Sequence, residues 1–525
     1  MIALRAVLQA ALADVRERTR RGSFLATMVG TLYLAYLVAT GWVVVRVGGY
    51  RGIATSAWVG SQISLVIATL LSLVGFYLVR GSVTRDRDTG VGEILATTAL
   101  SRVQYVLAKL VSNTAVLGTI VAVLAAAAVA LQWFAGEAPL ELGALLAPFA
   151  LLALPAMALV AALAVLFETL PGLRGGLGNV VFFMVWMALL VLAIQGGGAF
   201  DFGGFGLLHD SMNAALAAAH PGHPPGLAVQ ISPPRVDATF FWPGIAWSAP
   251  VVAARLAWFA VALGVTLVGA LAFDRFDPAR RRRGGARTAA APAVADPLAP
   301  TPGEATPARP AAAALPALVA ADLAFSPWRL LRAELRVLVA GRSRWWFVAA
   351  FGLLVGQLVA PAAAVVHPWL VLAWIWPLLL WSPLGGRARR SGVHQVLWTA
   401  PRPVLRQLLV EWLAGVVLAA AVGSGAAVRL AIAGDLAGVA AWAAACLAIP
   451  ALAVALGVLS GGTTAFEAVW LLWWYLGLLQ RAPFLDLAGG SPAALGRSAP
   501  WAVAVAAAAS LGLAAAVRAR QVRGD

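Results

Sequence analysis

LAKLVSNTAVLGTIVAVLAAAAVALQWF, residues Leu107–Phe134, carries a single charge, Lys109. About 20 consecutive apolar residues suffice to cross a bilayer as a helix, so this stretch is long enough with room to spare. The same pattern recurs before and after it, at Ser23–Val45, Ala57–Val79, Leu142–Leu166, Leu177–Ile194 and Val251–Phe273. After a break it resumes at Trp345–Val366, Pro368–Leu384, Leu408–Val428, Leu436–Leu459, Thr463–Leu479 and Trp501–Val517, the second and fifth of these being short. The reading is twelve membrane-spanning helices in an all-α polytopic protein.

Composition agrees. The 525 residues are 62% hydrophobic and 11% charged, whereas a water-soluble domain carries roughly a quarter charged residues. The net charge of +16 follows from basic loops rather than a nucleic-acid surface, because cytoplasmic loops of membrane proteins concentrate Arg and Lys. With both termini inside, 31 of the 38 basic residues fall on the cytoplasmic side and 7 outside, which fixes the expected orientation. Residues 1–21 lack a signal peptide's short apolar core and cleavage pattern and read as retained. The single cysteine, Cys446, excludes an intrachain disulfide and a cysteine-based metal site.

Between the two sets of spans, residues 277–322 hold Arg280-Arg281-Arg282-Arg283 and then a Pro/Ala-rich run, a composition that reads as a cytoplasmic linker. It separates a first six-span unit, residues 1–276, from a second, residues 323–525. Each unit opens with an amphipathic segment expected to lie on the inner membrane surface: Leu4, Val7, Leu8, Leu12 and Val15 share one face, as do Leu331, Leu335 and Leu338. Six spans return the chain to its starting side, so the repeat is parallel.

After the second span of each unit comes a basic segment that leads into the third. The first reads Arg80 to Arg102, the second Arg387 to Arg402. An offset of 302 pairs Gly90 with Gly392, Val91 with Val393, Leu95 with Leu397 and Thr97 with Thr399 without a gap. A short helix held at the membrane face between two spans can act as a lever for a soluble partner. A solvated loop that only sets topology is the plainer alternative.

At these residues the chain resembles the ABC-2 type permease family, whose members carry a Gly and then Glu-x-Leu-Leu-x-Thr-x-x-Ser-Arg before the third of six spans. Here Gly92, Glu93, Leu95, Thr97, Ser101 and Arg102 carry the match, with slightly altered spacing. The second unit departs from it, with Gln395 in place of Glu93 and with Pro401 and Pro403 following. The fused twelve-span plan is similar to that of the antibiotic-exporter subset of that family. The resemblance implies a multi-pass permease of a bacterial inner membrane, both termini cytoplasmic, that docks ABC ATPase subunits, two copies being expected, through Gly90, Glu93, Leu95, Thr97, Ser101 and Arg102 and through Gly392, Gln395, Leu397 and Thr399. ATP and Mg would sit on those partners, since no Gly-x-x-x-x-Gly-Lys-Ser/Thr loop surrounds Lys109, the only lysine, and no cofactor is expected on this chain. A small hydrophobic or amphipathic substrate fits such an exporter.

Other constellations are weaker. His209, Asp210, His220 and His223 share the long outer loop, but Pro221 and Pro224 break any face that would converge them on a metal. In the family this loop holds re-entrant helices, and Phe240, Phe241, Trp242 and Trp247 suit an interfacial position there. Charges at Lys109, Glu168, Arg255, Glu411, Arg429 and Glu467 lie within or beside spans and are functional, paired or snorkelling. Glu411 matches Lys109 at the offset of 302, which allows an ion pair across the halves. Sparse polar positions in the second and fifth spans, Gln62, Ser64 and Asn179, with Phe182, are the candidates for lining a pathway. An ion-coupled secondary transporter and a polytopic membrane enzyme stand as alternatives, the latter without any His-Glu-x-x-His or Gly-x-Ser-x-Gly motif.

Overall fold

A computed structural model of the chain describes residues 2–20, 22–195, 200–222, 226–231, 238–276, 326–361, 364–399 and 403–523. The linker expected over 277–322 and His223 lie outside the described residues. The first half runs through α1 (Ile2–Thr19), α2 (Gly22–Ala39), α3 (Ser56–Val66), α4 (Ser72–Val79), α5 (Ser82–Asp88), α6 (Val91–Thr97) and α7 (Arg102–Ala135). It continues with α8 (Leu142–Pro148), α9 (Leu154–Thr169), α10 (Gly176–Gln195), α11 (Phe205–Ala219) and α12 (Ala249–Ala272). Single π turns at Ile67–Leu71 and Phe149–Ala153 join α3 to α4 and α8 to α9 into continuous rods.

Among the described residues, eight helices are long and apolar enough to cross a membrane, or nine if the bent pair Pro327–Val339 and Arg344–Val359 counts as one span. Thr27–Val38, Pro368–Trp381 and Thr464–Leu479 are apolar but shorter. The expected first span, Ser23–Val45, is too long at its C-terminal end. A turn at Gly41 with φ of +75° breaks the helix, and the β-branched run Val43–Val47 forms a strand, β1, antiparallel to Leu227–Ile231.

Helix starts are set by local chemistry. Ser101 caps α7 with a full capping box: its hydroxyl accepts from Gln104 N–H while the Gln104 side chain accepts from Ser101 N–H. Thr55, Ser343 and Asp435 cap α3, Arg344–Val359 and Leu436–Ser460 in the simpler way. The surface helix Pro327–Val339 meets its span at 104°, the corner being turned at Gly341 with φ of +73°. Its Leu331, Leu335 and Leu338 face the body, as the periodicity requires.

Helix α1 has two sides of different character. Leu8 and Leu12 are exposed, whereas Val7, Ala11, Asp14 and Arg18 are buried. Two charges therefore point inward, and their partners explain why.

Candidate functional site

The basic segment of the first half folds as two short helices, α5 and α6, each started by a glycine in the left-handed region, Gly81 and Gly90. The first four N–H groups of a helix have no intrahelical acceptor and carry a partial positive charge. Glu168, at the end of α9, meets all four at α5. Its Oε1 accepts from Gly81 N–H (2.8 Å) and Ser82 N–H (3.1 Å), and its Oε2 from Val83 N–H (2.5 Å) and Thr84 N–H (2.9 Å). This membrane-edge charge is thus a cap from another helix.

Around α5 lies a buried charge cage. Asp14 pairs with Arg18 (2.9 Å), Arg85 (3.0 Å) and Lys109 (3.2 Å) and accepts from the Ser112 hydroxyl (2.5 Å). Lys109 also reaches Asp86 (2.8 Å), which accepts from the Tyr105 hydroxyl (2.7 Å). Burial raises the Asp14 carboxyl, but Arg18, Lys109 and Ser112 outweigh it and hold the group below the usual carboxylate range. Arg87 pairs with Asp274 (3.0 Å), which also holds Arg174 (3.3 Å). Helices α1, α7 and α9 and the segment after α12 therefore all fix α5. The Lys109–Glu411 pair that the offset allows does not form. Both partners of Lys109 lie in its own half, while Glu411 accepts from Gly385 N–H (2.6 Å) and from the Gln407 amide (3.0 Å).

Helix α6 presents the opposite character outward. Glu93 is exposed and makes no side-chain hydrogen bond or ion pair among the described residues, because Arg85 and Arg87 are engaged elsewhere. Beside it Val91 and Ile94 are exposed, Ile94 to 67%. In the second half Gly392 has φ of +72°, against +74° for Gly90, and Val393, Val396 and Leu397 are exposed, Val396 to 75%. The hydroxyl of Thr97 donates to Ile94 carbonyl (2.8 Å), and that of Thr399 to Val396 carbonyl (2.7 Å). The two copies thus share backbone, hydroxyl bond and an exposed apolar pair at the same offset. Leu95 is half-buried against Tyr105, Phe273 and Phe276, Ser101 serves as the α7 cap, and Arg102 and Gln395 are exposed. The second copy is anchored differently, by Arg387 on Glu334 and by Arg518 on Gly385 carbonyl.

The halves meet where α4 and α10 face Thr464–Leu479 of the second unit. At the basic end of this seam the Asn179 amide donates to Glu467, whose neighbours include the hydroxyls of Ser382 and Thr463, and the Tyr77 hydroxyl donates to Asn179 carbonyl (3.0 Å). Farther along, Phe183 packs edge-on to Trp474 (5.6 Å) and Trp186 to Tyr475 (5.0 Å), with Trp186 donating to the Ser72 hydroxyl (2.7 Å). Phe182 stacks on Phe76 within the first half (3.5 Å between centroids). Gln62 donates to Val43 carbonyl (3.2 Å) and Ser64 to Pro148 carbonyl (2.9 Å), so their polar atoms have internal partners. Asn179 is thus the one pathway candidate whose side chain crosses between the halves. The sequence offered Glu467 only as an isolated charge, with nothing local to pair it with residue 179.

Beyond the aromatic seam, toward the opposite face, a cavity of about 740 Å³ opens between the halves. Leu37, Val66 and Leu190 line it from the first half, and Tyr475, Leu476 and Arg481 from the second. The outer loop closes one side. There Phe240 and Trp242 are buried edge-on to Trp58 rather than interfacial, while Phe241 is exposed. No group of three or more His, Cys, Asp or Glu side chains able to hold a metal exists among the described residues.

The long apolar helices with almost no sheet define a helical polytopic membrane protein. A scan of protein-family models matches none to this chain, and no characterised protein matches it by sequence.

Proposed function

We propose that the chain is the membrane-spanning permease of an ABC exporter, with two six-span units that enclose a pathway and dock separate ATPase subunits. The observation that carries the reading is the repeated exposed face, Val91, Glu93 and Ile94 in α6 and Val393, Gln395 and Val396 in the second copy, on segments otherwise rich in arginine. An apolar pair presented beside a polar side chain, with the helix behind it clamped in the first half by Glu168 and the Asp14–Lys109–Asp86 cage, suits a lever gripped by a soluble partner. Load applied to α6 would reach α7 directly and α1 and α9 through the cage. The seam between the halves and its cavity would form the route, with Asn179 and Glu467 at the cytoplasmic end.

Co-purification of an ATPase subunit with wild type, Glu93→Ala and Gln395→Ala tests this. A charge desolvated against a specific partner costs about 2–5 kcal/mol of association when truncated, so Glu93→Ala should lose the subunit and Gln395→Ala should lose less. Equal recovery with all three would return these helices to simple topology loops. One observation favours an ion-coupled carrier instead: Glu467 is buried without an ion pair among the described residues. Uptake into vesicles that persists without ATP and collapses with the proton gradient would select that reading.

A further inference from the structure

We propose that the cavity between the halves is a binding site for a drug-sized amphipathic organic anion, with Arg481 as its headgroup partner. Its role in transport rests on the exporter reading, but binding itself does not. Pockets of roughly 300–1,000 Å³ bury most of a drug-sized ligand, and the cavity of about 740 Å³ lies in that range. Leucine, valine and aromatic side chains from both halves form most of its wall. A purely apolar wall would accept any lipophilic molecule.

The charge on this wall has one sign. Among the described residues that line the cavity, Arg481 is the formal cation, His209 is the only other titratable group besides Tyr475, and no aspartate or glutamate is present. The nearby carboxylates stand outside this lining. Asp486 accepts from the N–H groups of Ala488, Gly489 and Gly490, and Asp201 accepts from Phe205 and Leu207 N–H and pairs with Arg255. Asp210 bonds the Nδ1 of His209 (3.1 Å), but its side chain is 84% exposed and it is not part of the cavity wall.

A second, independent observation concerns the backbone. Arg481 follows the helical turn Trp474–Leu479 with φ of +55°, and Ala482 N–H closes the turn on Leu476 carbonyl (3.1 Å). A helix ended this way normally uses glycine, because a Cβ strains the left-handed conformation. Arginine stands there instead, and the turn sets its side chain at the cavity wall. An exposed guanidinium with no hydrogen bond or ion pair among the described residues is free to take a carboxylate, sulfonate or phosphate oxygen.

The test uses two fluorophores with one apolar body, 1-anilinonaphthalene-8-sulfonate and the uncharged N-phenyl-1-naphthylamine. Each is titrated against the full-length chain in zwitterionic-lipid nanodiscs, with empty nanodiscs subtracted. The sulfonate should bind about tenfold more tightly than the neutral probe, and more weakly as salt rises. Arg481→Gln should remove that preference and leave the neutral probe unchanged, Arg481→Lys should keep most of it, and Leu70→Trp, which narrows the cavity, should weaken both. Equal binding of the two probes to wild type, or an unchanged preference in Arg481→Gln, would overturn the proposal. Loss of sulfonate binding when phosphatidylglycerol is added would also overturn it, by making an anionic lipid the occupant. None of these readouts needs an ATPase, so binding without ATP-driven transport would retain the site and reject the exporter reading.

Discussion

Lys109 is the only lysine in the chain, and it is locked between Asp14 and Asp86 with both members of the 2.8 Å pair about 8% exposed. An amine-reactive ester can therefore modify one side chain only, and only when the cage opens. Asp86→Asn removes the shorter of the two ion pairs but keeps a group able to bond the Tyr105 hydroxyl. A buried ion left with no partner costs about 3–5 kcal/mol, and Lys109 would retain Asp14, so the opening free energy should fall by less, about 2 kcal/mol. Acylation of Lys109, followed by mass spectrometry on the folded chain, should then run about thirtyfold faster than in wild type. Asp210→Asn, whose side chain is 84% exposed, should leave the rate unchanged. An unaltered rate in Asp86→Asn would mean that the cage does not hold α5 to α7, and the proposed lever would lose its mechanical link to α7.

Three further outcomes are expected. A cysteine placed at Pro302 in a Cys446→Ala background should react with an impermeant maleimide from the cytoplasmic side only; labelling from outside would reverse the orientation. The Asp14 carboxyl is held below its ordinary value, so its contribution to stability should be complete above about pH 5 and vanish as pH falls below about 4 through the folded value. Thermal unfolding of Asp14→Asn should lack that acid limb; an identical acid profile would refute the assignment. Residues 1–276 and 323–525, expressed as separate chains, should co-purify through the seam, and Glu467→Leu should reduce recovery by leaving the Asn179 amide unpaired, a loss of about 1–3 kcal/mol. If recovery is the same with Glu467→Leu, that bond does not hold the halves together.

Apolar runs and basic loops were readable because membrane insertion and topology depend on local composition. The repeat at Gly90 and Gly392 was also readable, and both glycines adopt the same left-handed conformation. Long-range pairing was not. Val43–Val47 reads as the end of a span until its strand partner at Leu227–Ile231 is known. Asp14 and Arg18 look like the wet face of a surface helix, and only the fold brings Lys109 and Asp86 to them. The offset that matched the basic segments misled at Glu411, which holds the Gly385 N–H from within its own half, whereas the first segment is capped from the end of α9. The cavity belongs to neither half alone, so no periodicity within one unit could reveal it.

The most direct measurement places a photo-crosslinking residue at Ile94 and, separately, at Val396, and irradiates the chain in its native membrane. The account predicts that both positions capture the same soluble nucleotide-hydrolysing subunit, and that a probe at Phe241, on the opposite face, does not. Crosslinks from Ile94 and Val396 to lipid alone, or to no protein in common, would contradict it.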